Sequence, residues 1–179
     1  MNFKKAIATI DEVVDSPTEG LPEEVFLLVS RISPLINVDL LIRNKSKQTL
    51  LTWREDGYHS AGWHIPGGII RYKETIADRI RAVAKTELGA DVESDYVLEA
   101  LTEYIHPTRR NRGHGISLLY ECKLTSPLDR EMEYRGVRPK NGEWAWHDGC
   151  PDDILSVHEI YRKFIEKGRW EKCRAISTD

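Results

Sequence analysis

The segment with the most chemical content is a glycine-rich turn that leads into a helix with a glutamate near each end. Gly67 and Gly68 follow Pro66 in the turn, and Glu74 and Glu87 flank the helical stretch. Glycines let a backbone turn sharply and approach a ligand, and a carbonyl freed by such a turn can bind a hard cation such as Mg2+. The two glutamates are 13 positions apart, which is about 20 Å along an α-helix. They therefore cannot bind the same metal ion.

The helix predicts different roles for the two glutamates. Glu74 is expected in the first turn, where the helix dipole stabilises a carboxylate, so we predict a structural role for it. Glu87 is expected in the last turn beside an apolar stripe, where a carboxylate is costly unless a cation neutralises it. We predict that Glu87 binds Mg2+; the alternative is an ion pair with Arg81, with Lys85 or with a cation distant in the sequence.

Asp39 and Arg54 are candidates for substrate contacts. Asp39 lies within an apolar run, where a buried carboxylate needs a partner. That partner could be the substrate, a neighbouring backbone group or Arg54, and Arg54 could serve only as that partner. The residues alone leave these alternatives open.

The basic loop near residue 110 supplies further candidates. His106 and His114 flank this loop and could act as a general base or as a phosphate donor, because histidine titrates near neutral pH. The run of Arg109, Arg110 and Arg112 within the loop could bind a diphosphate, with Arg109 as the first candidate. The alternatives are an ordinary histidine at either position and a solvated surface turn.

The elements that must position these residues follow from the hydrophobic pattern. Strands interleaved with helices in mixed order predict an α/β fold. The expected helices cover residues 1–15, 22–33, 73–88 and 157–167, and the expected strands cover 35–42, 49–53, 97–105, 116–124 and 143–147. The strand at 35–42 is expected to form a hairpin with the strand at 49–53, and residues 55–62 read as a loop.

Composition limits the classes of partner. The 179 residues carry 26 basic and 29 acidic side chains, a net charge of −3, so bulk charge does not favour nucleic acid. No apolar stretch reaches the roughly 18 residues that span a bilayer. Three cysteines with no CxxC spacing indicate reduced thiols, and the N-terminus lacks the features of a secretory signal. We therefore expect a cytoplasmic protein.

The turn and helix resemble the Nudix box of the Nudix hydrolases. Gly68, Glu74, Glu87 and Gly89 fall at matching positions, whereas Ala82-Val83 replaces an Arg-Glu pair and Thr86 replaces the first glutamate of a later pair. The resemblance implies a Nudix-type α/β/α sandwich with a mixed sheet over residues 21–170. Residues 1–20 would form an N-terminal helical extension, and residues 171–179 a C-terminal tail.

Within that family, a box that keeps the last glutamate is similar to the GDP-mannose mannosyl hydrolase branch. The similarity covers about residues 22–166 and rests on six segments: Pro34-Leu-Ile-Asn-Val-Asp39, Leu50-Leu-Thr-Trp-Arg54, Trp63-His-Ile-Pro-Gly-Gly68, Tyr104-Ile-His106, Glu143-Trp-Ala-Trp146 and Val157-His158. The resemblance implies that a Mg2+-dependent enzyme attacks the anomeric carbon of a nucleotide sugar and releases sugar and nucleoside diphosphate. It also implies a homodimer.

The resemblance assigns roles to residues of this chain. The Gly67 carbonyl and Glu87 would bind Mg2+, while Asp39 and Arg54 would contact the substrate and Arg54 would also take part in catalysis. Arg71 is the further candidate for a substrate contact, since it lies two positions after Ile69, which stands where the branch has an arginine. The branch's adjacent metal ligand and base align with Lys140-Asn141, neither of which can serve as the base at neutral pH. Two alternatives follow. One is a phosphorus-attacking pyrophosphatase in which Glu99, Glu103 or Glu143 supplies the missing carboxylates, and the other is a nucleotide-sugar binding protein with little turnover.

Overall fold

Two β-sheets and the helices packed against them form the frame of the molecule. The computed structural model describes residues 2–57 and 60–166. Within these residues the helices are α1 (Phe3–Val13), α2 (Glu23–Ile32) and α3 (Ile76–Leu88). The strands are β1 (Leu35–Ile42), β2 (Thr49–Arg54), β3 (Gly62–His64), β4 (Gly67–Ile69), β5 (Val92–Glu93), β6 (Leu98–Ile105), β7 (His114–Leu124) and β8 (Trp144–His147). Two 3-10 helices cover Arg130–Met132 and Ser156–Tyr161.

The larger sheet is mixed. β1 pairs in parallel with β7 and antiparallel with β4, while β5 and β6 both pair antiparallel with β7. A separate antiparallel sheet has the order β3-β2-β8. This arrangement of mixed sheet and helices confirms the predicted α/β fold class.

The predicted hairpin between β1 and β2 is wrong. The two strands belong to different sheets, and the isolated bridge between Arg43 and Thr49 joins their ends, next to a hydrogen bond from the Asn44 N–H to the Gln48 carbonyl. Asn44 explains why the chain turns here, since its side-chain oxygen accepts from the backbone N–H of Ser46 and of Gln48. The polar turn was therefore predicted correctly, but it redirects the chain from one sheet to the other.

Helix α3 begins later than predicted. Thr75 is its N-cap and its hydroxyl accepts from the Asp78 N–H, so Glu74 precedes the helix instead of lying in its first turn. The helix ends at Gly89, whose φ of 61° is the left-handed conformation that favours glycine. Its buried stripe is part of a core cluster with β1 and β7: Ile80, Val83, Ala84 and Leu88. This packing fixes the last turn of α3, and therefore Glu87, beside β2 and β4.

A second core cluster lies around the β3-β2-β8 sheet. Leu51, Trp53 and Trp63 pack there with Tyr161 and Ile165 from the end of the described chain. The helix predicted at 157–167 is a 3-10 helix over Ser156–Tyr161 followed by helical residues 162–166. Position 167, Cys173 and the predicted tail at 171–179 lie outside the described residues.

Three short strands were not predicted from the sequence, whereas the N-terminal helix was. Strands β3, β4 and β5 were missed because each has only two or three residues. Helix α1 forms as predicted, and none of its side chains is buried. No helix in the described part of the chain is long and apolar enough to cross a membrane.

Candidate functional site

A polar cavity of about 160 Å³ opens beside β1, β4 and the 3-10 helix Ser156–Tyr161. It brings together three predicted site residues, Asp39, Arg54 and Gly67. The other lining residues are Leu35, Asn37, His64, Ile65, Gly68, Ile69, Tyr104, Arg112, Ser117, Val157, His158 and Tyr161. Glu87 reaches Arg54 from the last turn of α3, so the predicted metal ligand stands at the same site.

The environment of Glu87 is that of a partly buried carboxylate with three neighbours: Thr52, Arg54 and the Gly67 backbone, which donates a hydrogen bond to it. The Thr52 hydroxyl donates to its Oε2 at 3.1 Å, and an Arg54 Nη lies 3.8 Å from its Oε1. Burial raises the pKa of Glu87 to about 7, although the positive charge of Arg54 and the Thr52 hydrogen bond act in the opposite direction. The predicted alternative partners bind elsewhere, since Arg81 pairs with Asp78 and Lys85 with Asp91. A divalent cation would relieve the cost of ionising this carboxylate.

The Gly67 backbone is oriented to serve a ligand. In the β1–β4 ladder, the Leu40 N–H donates to the Pro66 carbonyl and the Ile70 N–H donates to the Ile36 carbonyl. Hydrogen-bonded and non-hydrogen-bonded pairs alternate along an antiparallel ladder, so Gly67, opposite Asp39, occupies a non-hydrogen-bonded position. Its carbonyl therefore points away from β1 and is not used by this ladder.

Only glycine fits at position 67. A Cβ there would collide with Oδ1 of Asp39 and would also come within 2.9 Å of the Val38 carbonyl oxygen. The next glycine is similarly enclosed, because a Cβ on Gly68 would lie 2.8 Å from Cγ2 of Val83. The close approach of this turn to β1 and α3 thus explains both glycines of the motif.

Asp39 is buried in the floor of the cavity. The Tyr161 hydroxyl donates to its Oδ2 at 2.6 Å, although the two residues are 122 positions apart. Burial raises the pKa of Asp39 to about 6, while the hydrogen bonds from Tyr161 and Ser117 and the charge of Arg54 favour the ionised form. The His158 ring lies next to this pair, with its centroid 5.4 Å from that of Tyr161.

The donor set fits a magnesium ion that is bound together with a phosphorylated substrate. Among the described residues, no group of three or more His, Cys, Asp or Glu side chains could hold a metal ion. Val83 is buried against Gly68, and Thr86 is exposed, so neither position adds a carboxylate. Mg2+ commonly uses one or two carboxylates together with substrate phosphates and water. Glu87 and the Gly67 carbonyl match that pattern.

Four predicted site residues lie outside this cavity. His106 is exposed, with its Nδ1 3.5 Å from the Thr108 hydroxyl. His114 pairs with Glu103, with 3.0 Å between Nε2 and Oε1. Arg71 lines a separate, more apolar cavity, and Arg109 lines a surface pocket formed by the basic loop.

Within the basic run, Arg112 lines the cavity, whereas Arg109 lines the surface pocket of the loop. The backbone of Arg112 has a left-handed φ of 52°. The cavity also contains two candidates that were not predicted from the sequence. His158, quoted above only as a sequence landmark, and Tyr161 come from the last described helical segment. Neither belongs to a motif that indicated a site.

Glu74 has a structural partner. Its Oε2 accepts from Arg79 Nε at 2.8 Å and from the Arg71 backbone N–H, and an Nη of Arg79 lies 2.7 Å from the same oxygen. Both members of the ion pair are largely buried, with side-chain exposures of 14% and 10%. The predicted structural role is consistent with this geometry, but its physical cause is an ion pair and not the helix dipole.

Comparison with known proteins agrees with the fold and the motif. Residues 33–167 match the family model described as NUDIX domain. The low-salt glycan biosynthesis protein Agl8 of Haloferax volcanii is 37% identical over 114 residues, which are 62% of this chain and 72% of that protein.

Solved structures resemble this chain at the level of the fold. A MutT NUDIX hydrolase from Burkholderia pseudomallei is 19% identical, with a TM-score of 0.57 over 73% of this chain and 97% of that chain. An ADP-ribose pyrophosphatase from Streptococcus suis is 18% identical, with a TM-score of 0.51 over 82% of this chain and 94% of that one. With a family match that covers most of its length, the chain belongs to the Nudix domain family.

Proposed function

We propose that this chain is a Mg2+-dependent hydrolase of a nucleotide sugar, GDP-mannose-like in its chemistry. In this reaction water attacks the anomeric carbon of the sugar, the C1–O bond breaks, and intact nucleoside diphosphate leaves. The name of the Haloferax volcanii relative, which refers to glycan biosynthesis, supports a substrate that carries a sugar. The observation on which the proposal chiefly rests is the single carboxylate, Glu87, that the end of α3 offers to the cavity.

The charges around the cavity suit a departing diphosphate. Arg54 and Arg112 both line it, and the metal ion bound by Glu87 and the Gly67 carbonyl would supply Lewis-acid neutralisation of the leaving group. One metal and two guanidinium groups can stabilise developing negative charge on a diphosphate. Activating water for attack on phosphorus with several metals would require more carboxylates than this site presents.

The carboxylates that could favour the pyrophosphatase alternative are engaged elsewhere. Glu103 pairs with His114, and Glu143 accepts from the Lys140 backbone N–H. Glu99 lines a separate surface pocket, together with Glu93 and Asp95. These positions favour the sugar-carbon reaction over attack at phosphorus.

His158 is the best candidate for the general base. Its imidazole lines the cavity beside Asp39 and Tyr161, whereas Asn141, which aligns with the base of the related branch, accepts from the Glu55 N–H. A histidine in this position can take a proton from the attacking water. Asp39 is suited to accept hydrogen bonds from sugar hydroxyl groups, because its carboxylate is fixed by the Tyr161 hydroxyl.

The size of the cavity indicates which part of the substrate it holds. At about 160 Å³ it is smaller than the roughly 300–1,000 Å³ of sites that bury a whole drug-sized ligand. A second cavity of about 790 Å³ shares Leu35 and Ile69 with it and includes Phe26 and Tyr72. We expect the sugar and diphosphate in the polar cavity and the nucleoside in the apolar one.

A panel of nucleotide sugars with Mg2+, analysed by mass spectrometry, tests the proposal. We expect free sugar and nucleoside diphosphate from at least one substrate, and no products from Glu87→Gln. Nucleoside monophosphate with sugar phosphate would support the pyrophosphatase alternative. Tight binding with no products would support the binding-protein alternative.

Two further expectations concern the assembly and its location. We propose a homodimer, for which the edge strand β6 offers Leu101 and Ile105, 63% and 66% exposed, as contact residues. Sedimentation at micromolar concentration should give the dimer mass, and a monomer mass would contradict this. We also expect the protein in the cytoplasm, which fractionation of the native cells would test.

A further inference from the structure

Arg112 lines the polar cavity although it belongs to the basic loop between β6 and β7. The loop is closed at its base, where the His106 N–H donates to the Gly113 carbonyl at 2.6 Å, so Arg112 lies at this base and not at the tip of the loop. Its φ of 52° is in the left-handed region, which costs free energy for a residue with a side chain. Such a conformation persists only where the surrounding contacts hold it.

Helix α2 supplies two of these contacts. The buried Ser30 hydroxyl accepts from the Arg112 backbone N–H at 3.2 Å. The same hydroxyl donates to the Leu27 carbonyl at 2.9 Å, so its proton is directed into the helix and its oxygen can accept from the loop. The Phe26 ring, one turn earlier on the same face of the helix, has its centroid 5.7 Å from Cζ of Arg112, which is within the range of a cation–π contact. Helix α2 therefore contacts both the backbone and the side chain of Arg112.

The contact between Phe26 and Arg112 also joins the two cavities. Phe26 lines the apolar cavity, where we expect the nucleoside, and Arg112 lines the polar cavity, where we expect the diphosphate. If α2 only anchored the basic loop, the hydrogen bond from the Arg112 backbone to Ser30 would be sufficient. The additional ring contact restricts the guanidinium itself, which is the part of Arg112 that a phosphate group would contact.

We propose that Phe26 and Ser30 are positioning residues for diphosphate binding, and that both act through Arg112. Ser30 holds the backbone of Arg112 in its left-handed conformation, and Phe26 holds the guanidinium beside the polar cavity. Because less side-chain freedom is then lost when the diphosphate binds, the arginine is pre-organised for it. The inference rests on the proposed function in placing a diphosphate next to Arg112. Residues 23–32 precede the range 33–167 that matches the family model, so this role belongs to a helix outside the matched domain.

The test measures binding of inorganic pyrophosphate and of GDP, each with Mg2+, by titration calorimetry. Pyrophosphate carries no nucleoside and therefore leaves the apolar cavity empty. Phe26→Leu, which keeps an apolar side chain, is expected to weaken binding of both ligands about 2- to 10-fold. Ser30→Ala should weaken both by a similar factor, since it removes the acceptor of the Arg112 N–H. Val29→Ala is the matched control, because Val29 lines the apolar cavity from the same helix, and this variant should leave pyrophosphate binding unchanged.

A double-mutant cycle tests whether Phe26 acts through Arg112. Arg112→Gln should weaken pyrophosphate binding about 10- to 100-fold, and adding Phe26→Leu should weaken it no further. Additive losses would overturn the inference, because the two residues would then act independently. Weaker GDP binding with unchanged pyrophosphate binding in Phe26→Leu would also overturn it, because the ring would then contact only the nucleoside. If Phe26→Leu does not fold, the same cycle with Ser30→Ala decides.

The same titrations separate this inference from the proposed function. Wild-type protein that binds neither pyrophosphate nor GDP would overturn both, because the diphosphate site itself would be absent. Hydrolysis of a nucleotide sugar together with additive losses in the cycle would overturn only the role of Phe26 and Ser30. Non-additive losses in a protein that hydrolyses no nucleotide sugar would support that role and contradict only the proposed reaction. Non-additive losses together with hydrolysis are the expected result.

Discussion

Replacing Glu87 by glutamine and replacing Glu74 by glutamine should change the free energy of unfolding at pH 8 in opposite directions. Burial raises the pKa of Glu87 from an ordinary 4.5 to about 7 in the folded protein. The folded state therefore binds more protons than the unfolded state between these values, and wild-type stability falls as the pH rises from about 4.5 to 7. Glu87→Gln removes this loss.

The magnitude follows from the size of the pKa change. At about 1.4 kcal/mol per pKa unit the full change corresponds to about 3 kcal/mol. The Glu87 side chain is 22% exposed, and glutamine weakens the contacts with Thr52 and Arg54. We therefore expect Glu87→Gln to be more stable than wild type by about 1–2 kcal/mol at pH 8, with no gain below pH 4.5.

Glu74→Gln should have the opposite effect. It leaves the largely buried guanidinium of Arg79 without a carboxylate partner. Breaking a pair of this kind costs about 2–4 kcal/mol, which lowers the melting temperature by roughly 4–16 °C for a domain of this size. Catalysis by the folded protein should change little, because Glu74 does not line the cavity.

Unfolding followed by circular dichroism at pH 5 and pH 8, with turnover measured in parallel, checks this pair of variants. We expect Glu87→Gln to be stabilised at pH 8 and to lose turnover by about 100-fold or more. Equal destabilisation of both variants at pH 8 would refute the reasoning. So would a stability difference between Glu87→Gln and wild type that does not depend on pH.

Three further predictions follow from the geometry. Gly67→Ala should abolish most turnover, because its Cβ would displace the Asp39 carboxylate, and full activity would show that β4 can move away. The affinity for Mn2+, measured by calorimetry, should be about tenfold lower at pH 6 than at pH 8, because protons compete with the metal for Glu87, whose pKa is about 7. Equal affinities at the two pH values would argue against Glu87 as a metal ligand. His158→Gln should lower kcat by about 10²- to 10⁴-fold with little change in nucleoside diphosphate binding. The control variant His114→Gln, whose residue lies outside the cavity, should match wild type in the same assays.

The sequence predicted those parts of the structure that depend on local pattern. The burial of β1 follows from an apolar run, and the C-terminal end of α3 follows from the helix-stopping residue Gly89. Gly67 and Glu87 were identified because a turn and a helix fix their separation. For these strand, helix and turn predictions, the sequence signal lies within a few neighbouring residues.

Contacts between distant segments were not predictable in the same way. The hydrogen bond between Tyr161 and Asp39 spans 122 positions, and nothing near either residue indicates the other. Which arginine of the basic loop lines the cavity was not readable from the sequence: Arg112, whose backbone is left-handed, lines it, whereas Arg109 does not. Glu74 was assigned a structural role for the wrong reason, since its partner Arg79 becomes apparent only when the helix start is known.

The most direct test of the central claim is hydrolysis of the active nucleotide sugar in water enriched in oxygen-18. If Glu87 holds a single metal ion that neutralises the departing diphosphate, water attacks the anomeric carbon and the C1–O bond breaks. Mass spectrometry should then find the label in the free sugar and none in the nucleoside diphosphate. Label in a nucleoside monophosphate or in a sugar phosphate would show attack at phosphorus and contradict the account.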